Sequence, residues 1–354
     1  MAERTRRPPA RPTRPMVRRR RAPRIVCIGG GSGPSLIVKT VPEHLDTFTA
    51  IVTVTDSGSS TGIIRSNFGI AAPGDIRATL SVMSRMSGTE DILPRLMEYR
   101  FQPQETGQLS NMAFGNLMLA AVCKLTGNIK TAIMAMERIL SVRGRVLPVS
   151  LSNTDLAAEL EDGTVVHGEV NVRGRDKPPI RRLFLADEAA RADLEVEEAI
   201  RGADFVFLGP GNLYTSVLAC LIFPYIQRAL AECRGKRIFI CNTTSSPGQT
   251  EGFSAARHVE VLMQYLVPGS LDHAVLNTER PSERVIAEYR EHGAEFIPVT
   301  RRDLSAVRAL GIEPIAEPVL EPEPDGGPRK LHKVDTIRHD PAKLRAALRR
   351  AVGL

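Results

Sequence analysis

Short apolar runs alternate with stretches of helical period along most of the chain, the pattern of a parallel sheet whose strands are buried on both faces. Arg24 to Ile28 and Phe48 to Thr55 read as the first two strands, with Ser35 to Val41 as the helix between them. Together they make a strand-helix-strand crossover of about 30 residues. Residues 75 to 142 then carry helical patterns over Asp75 to Met86, Ile92 to Tyr99, Ala113 to Leu125 and Ile129 to Val142, a helical insertion between strands. Arg145 to Ser150, Ala157 to Leu160 and Val165 to Val172 return to β pattern, and Asp162-Gly163 between the last two signals a hairpin. Alternation resumes with strands at Phe205 to Leu208, Arg237 to Cys241 and Ala274 to Leu276, separated by helices near Leu213 to Leu221, Ala255 to Tyr265 and Glu283 to His292. The expected fold is α/β: a Rossmann-like, mostly parallel three-layer sandwich with an inserted helical segment and a small β-hairpin excursion. Residues 317 to 328 (EPVLEPEPDGGP) read as a linker to a basic, amphipathic C-terminal helix over Asp340 to Val352.

Composition adds to this picture mainly at one end. The 354 residues include no Trp and only 5% aromatics, so aliphatic side chains must build the core. The net charge of +7 suggests a nucleic-acid surface until it is localised. Residues 1–24 hold ten Arg against one Glu, a formal +9, which leaves about −2 for the remaining 330 residues. The body is therefore not a phosphate-backbone surface. The tail, residues 1–23, is Pro/Arg-rich without apolar periodicity and reads as disordered. It is either a solvated extension or a weak electrostatic tether to nucleic acid or anionic membrane, and residues 24–354 form one nucleotide-binding domain. Five scattered cysteines without a CxxC pair suit a reducing compartment. The longest apolar stretch, Val217 to Ile226, contains Pro224 and is too short to span a bilayer. The expected location is the cytoplasm.

Chemistry concentrates at strand ends. Gly29-Gly30-Gly31-Ser32-Gly33 follows the first strand and opens a helix, offering backbone N–H groups to an anion. It lacks the GK[ST] of a P-loop, and Pro34 takes the third glycine position of GxGxxG. The second strand runs into Asp56-Ser57-Gly58-Ser59-Ser60-Thr61-Gly62, where Asp56 suits a ribose-binding acid, a metal ligand or a cap, and Ser59 and Ser60 offer hydroxyls. Asp75 reads as a helix N-cap, and Arg77, ill-placed for the helix dipole, as the partner of an anionic ligand or a carboxylate. Asn116 adds an amide at a helix start. Gly209-Pro210-Gly211-Asn212 is a second strand-to-helix glycine turn, and two such loops in one sheet suit a diphosphate. No Ser-His-Asp or Cys-His set can be assigned. An NAD-dependent dehydrogenase using GGGSG and Asp56 is the weaker alternative, given Pro34 and the second glycine loop.

From Arg24 onward the chain resembles the gluconeogenesis-factor family (YvcK-like), relatives of the 2-phospho-L-lactate transferases (CofD-like). The resemblance is carried by IGGGSG, VTVTDSGSSTG, PGDIR, FGNLMLAA, VRGRVLPVS, ELEDGTVVHGE, LGPGNLYTS and IRHDPAKL. It implies a nucleotide diphosphate at the strand C-terminal edge. For gluconeogenesis factors that ligand is implied to be a UDP-sugar such as UDP-N-acetylglucosamine, with a role in carbon partitioning toward the cell wall and in cell shape. For the transferases it is a guanosine diphosphate-linked phospho-acid, with Mg²⁺. Carried over by position, Gly30, Gly31, Ser32 and Gly33 face the ligand, Asp56 sits where the transferases hold metal, and Asn116, Gly209, Gly211 and Asn212 complete the pocket. Tyr289 and Arg338 match positions that look like nucleotide-sugar contacts. The family loop usually carries two consecutive acids before Gly-Gly, whereas Ser57 follows Asp56 here. That departure weakens a Mg²⁺ site and favours a nucleotide-sugar-binding regulator over an active transferase. Homo-oligomerisation stays open.

Overall fold

In the structure, a computed structural model that describes residues 21–88, 92–102, 109–323 and 337–354, seven strands make one parallel sheet. Their order is β10 (Glu313–Glu317), β9 (His273–Asn277), β8 (Lys236–Ile240), β7 (Phe205–Leu208), β1 (Ile25–Ile28), β2 (Phe48–Val52) and β3 (Arg145–Pro148), and every pairing is parallel. The strands read as continuous apolar runs because helices cover both faces. Successive residues serve opposite layers: Val26 and Ile28 enter one core while Ile25 and Cys27 enter the other. β7 and β8 divide in the same way, Leu208 and Phe239 to the first core, Phe207 and Ile238 to the second. All five cysteines are buried and free.

The insertion lies between β2 and β3. It comprises α1's neighbour α2 (Ser59–Phe68), then α3 (Gly74–Met86) and the helices Ile92–Glu98, Phe114–Thr126 and Ile129–Ile139, α1 itself being Gly33–Thr40 between β1 and β2. The antiparallel excursion is larger than a hairpin. β4 (Leu156–Leu160) and β5 (Val165–His167) turn at Asp162-Gly163 as expected, and β6 (Ile180–Leu185) adds a third strand along β4. The expected strand from Val165 to Val172 is corrected: Gly168 adopts φ +83 and the chain coils into a helical turn, Glu169–Val172. Gly168 ends the strand because a positive φ takes the backbone out of the pleat.

Of the expected linker, Glu317 ends β10 and Val319 and Leu320 are buried, while 324–328 lie outside the described residues, as does the basic tail up to residue 20. The C-terminal helix, Pro341–Val352, is capped by Asp340, whose side chain accepts from the Lys343 N–H. It buries Leu344, Ala347 and Leu348, and Arg345 donates to the Thr40 and Lys39 carbonyls at the end of α1. No helix among the described residues is long and apolar enough to cross a membrane.

Candidate functional site

From β1 the chain adds strands outward to β2 and β3 on one side, then returns to add β7, β8, β9 and β10 on the other. The loops leaving β1 and β7 consequently part above the sheet, the place where open α/β sheets bind ligands. The two glycine loops meet there. A Cβ on Gly33 would overlap the Pro210 carbonyl oxygen, and one on Gly30 would overlap Asp75 Oδ2, so glycine is required by close approach at both positions. Gly31, at φ +63, donates its N–H to Asp75 Oδ1 at 2.9 Å. Across the gap, Asn242 Nδ2 donates to the Gly211 carbonyl at 2.9 Å and Ser246 Oγ to Asn212 Oδ1 at 2.8 Å, fixing the second loop.

Between the loops opens a cleft of about 520 Å³. Of the residues expected from sequence, Gly30, Gly31, Ser32, Asp56, Asp75, Gly211, Asn212 and Arg338 line it. Gly33 and Gly209 sit beneath, where the loops touch. Ser60 and Asn116 are buried behind, Asn116 Nδ2 donating to Ser60 Oγ at 3.0 Å. Ser59 opens α2, and its side chain lies outside what the structure describes. Arg77 is buried and pairs with Glu98 at 2.6 Å while donating to the Met97 carbonyl, so it ties α3 to the next helix. Tyr289 lines a neighbouring hollow of about 90 Å³ that shares Glu321 and Arg338 with the cleft. Asp75 is not an N-cap. Pro73 holds that position, and the Asp75 side chain reaches across to the glycine loop instead.

The cleft also holds side chains the sequence did not point to. Ser35 and Lys39 lie one turn apart on α1, a spacing that marks one helix face. Thr215 and Ser216 end the LGPGNLYTS stretch and His339 follows Arg338 in IRHDPAKL, though none stands out from its motif, and Asn242 and Thr243 come from a segment with no local signal. The turn after β5 brings Glu169 and Arg173. Glu169 lies in the already distinctive VVHGE stretch, directly after the glycine that ends the strand.

Three carboxyls meet at this end. Asp56 accepts the Gly58 N–H at 2.8 Å and hydrogen-bonds Glu169, whose Oε1 accepts from Arg173 and whose Oε2 accepts the Ser57 N–H, both at 3.3 Å. Burial, then the charge of Asp56, pushes the Glu169 carboxyl well above the usual range. Burial and the same neighbour push Asp75 up to about 7. Lys39, Arg173, Arg338 and the loop amides supply donors for phosphate, and the carboxyls supply acceptors for hydroxyls or a cation. The oxygen donors of Asp56 and Glu169 suit Mg²⁺ in kind. Among the described residues no three His, Cys, Asp or Glu side chains are placed to hold an ion by themselves, so phosphate oxygens would have to complete the shell.

The family model described as 2-phospho-L-lactate transferase CofD matches residues 25–320. Arg338 and His339 lie beyond that stretch. The gluconeogenesis factor of Bacillus subtilis (strain 168) is 34% identical over 326 residues, 92% of this chain and 97% of the relative. That of Halalkalibacterium halodurans is 35% identical over 325 residues, 92% and 95% of the two chains. A crystal structure of a UPF0052-family protein from Bacillus halodurans superposes with a TM-score of 0.81 at 34% identity, covering 91% of this chain and 98% of that one. With a matching family model over most of its length and relatives of this closeness, the chain belongs to the CofD family, among its gluconeogenesis factors.

Proposed function

We propose that the cleft binds a nucleoside diphosphate sugar, of which UDP-N-acetylglucosamine is the representative, and that the protein acts in the cytoplasm by that binding. On this reading it is a regulator of carbon partitioning toward the cell wall, and so of cell shape. The observation that carries the reading is the meeting of two glycine loops at the point where the sheet's strand order reverses. Two sets of loop amides flanking one cleft match two linked phosphates. The kinship with gluconeogenesis factors of full matching length supports the regulatory role.

One observation favours a second reading. The sequence lacks a second acid beside Asp56, yet Glu169 arrives there from the antiparallel excursion. Asp56 and Glu169 would then hold Mg²⁺ against the phosphates of a nucleotide donor, and the protein would transfer a phospho-acid group. When bound, the ion would neutralise charge developing on the phosphoryl oxygens. Calorimetry with UDP-N-acetylglucosamine and GDP, with and without Mg²⁺, followed by product analysis, separates the readings. Saturable heat with the UDP-sugar and no product is expected. No heat at millimolar ligand with folded protein sinks the first reading, and transfer of a phospho-acid group from a guanosine diphosphate-linked donor to an acceptor hydroxyl, with release of the nucleoside monophosphate, establishes the second.

A further inference from the structure

We propose that His339 contacts the ligand and governs which ligand the cleft accepts, its Nε2 taking a hydrogen bond from an N–H or O–H group of the bound nucleotide. The proposal rests on the reading of the cleft as a nucleotide site.

His339 is fixed on a short strap held against the segments that follow β8 and β10. Glu321 N–H donates to the Arg338 carbonyl at 3.0 Å, Asp340 N–H donates to the Val319 carbonyl at 2.8 Å, and His339 itself bridges Leu320. Thr243 Oγ1 donates to the Ile337 carbonyl just before it. With the backbone held on both sides, the imidazole stands in the cleft wall at 7% exposure. Burial pushes its pKa down to about 4, so the ring is neutral, and its hydrogen bond goes to the backbone of Cys241. Nε2 has no partner among the described residues, so that bond uses the other nitrogen and leaves Nε2 as a lone-pair acceptor.

A buried polar atom without a partner is destabilising, and native structures rarely keep one without use. Here the same wall holds three. Thr215 Oγ1 and Asn242 Oδ1, both lining the cleft, are also buried and unpartnered among the described residues. The three atoms come from three segments: the helix that follows the second glycine loop, the segment after β8 and the C-terminal strap. Two acceptors and a hydroxyl on residues that line one cleft are complementary to donors, such as a base imide, an acetamido N–H or sugar hydroxyls, once a ligand reaches past the surface that now covers them. The glycine loops lie within the stretch that the family model matches, residues 25–320, whereas His339 lies beyond it. That division suits a common phosphate cradle with a separate selecting residue.

The test is calorimetry on the full chain, wild type against His339→Phe and His339→Gln, with UDP-N-acetylglucosamine, UDP, GDP and NAD, beside thermal melts without ligand. His339→Phe should weaken binding about tenfold or more; it also removes the bond to the Cys241 backbone, so any fall in the ligand-free melting temperature is read separately from the loss of affinity. His339→Gln, which again offers a polar atom near Nε2, should recover part of the loss. Equal loss with UDP places the donor on the nucleoside, and loss confined to the UDP-sugar places it on the sugar. Wild-type affinity in His339→Phe overturns the proposal, as does a loss that tracks a lower melting temperature and is not recovered by Gln. If wild type prefers GDP or NAD, the uridine reading falls and His339 is judged on the nucleotide that binds. If wild type binds none of the four, both fall together.

Discussion

Asp75 shows how one residue can serve a loop and be burdened by it. Its half-buried carboxyl, beside Asp56, receives the Gly31 N–H, and its pKa rises from 3.8 to about 7. Between those two values the folded chain holds a proton that the unfolded chain has released. The stabilisation is complete below the lower value and is lost as pH rises toward 7, by at most about 4 kcal/mol. Glu169, also shifted upward, adds in the same direction. Asp75→Asn keeps the acceptor for Gly31 without the charge. Urea midpoints measured from pH 5 to pH 8 should fall more steeply for wild type than for this variant, and parallel profiles would contradict the account. The glycines and Asp56 were legible because they stand at strand ends in short, unusual runs; Asp75 was legible as a polar residue at a helix start, though not as the partner of the glycine loop. Glu169 and His339 were not, because only the closed topology brings residues so far apart in sequence into one wall. Arg77 carried a sound local signal, an unfavourable charge at a helix start, but its partner is Glu98.

Among the elements, period was the reliable guide. Buried parallel strands such as Ile25–Ile28 are continuous apolar runs, and the inserted helices keep a visible 3.6-residue rhythm. β6 went unread since IRRLFL mixes exposed arginines with buried apolar positions and pairs with a strand well before it. The strand expected through Val172 ended early at Gly168, whose backbone the hydrophobic pattern cannot report. The C-terminal helix is an element on which the site depends, because the strap bearing Arg338 and His339 runs directly into it. Leu348→Ala removes a fully buried side chain from its contact face and should cost about 2–5 kcal/mol, read as a lower urea midpoint. Ligand affinity should fall with it if loosening the helix loosens the strap.

For the whole molecule, all seven strands run the same way, so every strand start lies on one side of the sheet and every strand end on the other. The cleft occupies the side of the strand ends. The chain enters β1 from the opposite side, where Arg21 pairs with Asp204 just ahead of β7. Removing residues 1–20 should therefore leave nucleotide affinity within about twofold, while any salt-sensitive binding to DNA, RNA or acidic lipid is lost. Unchanged polyanion binding after the deletion would show that the body, not the tail, carries it. The same polarity sets how the protein presents itself when captured. Coupled to a sensor chip at Arg21, each molecule would be held on the face opposite its binding mouth. Attachment through the C-terminal helix would instead pull on the strap beside that mouth.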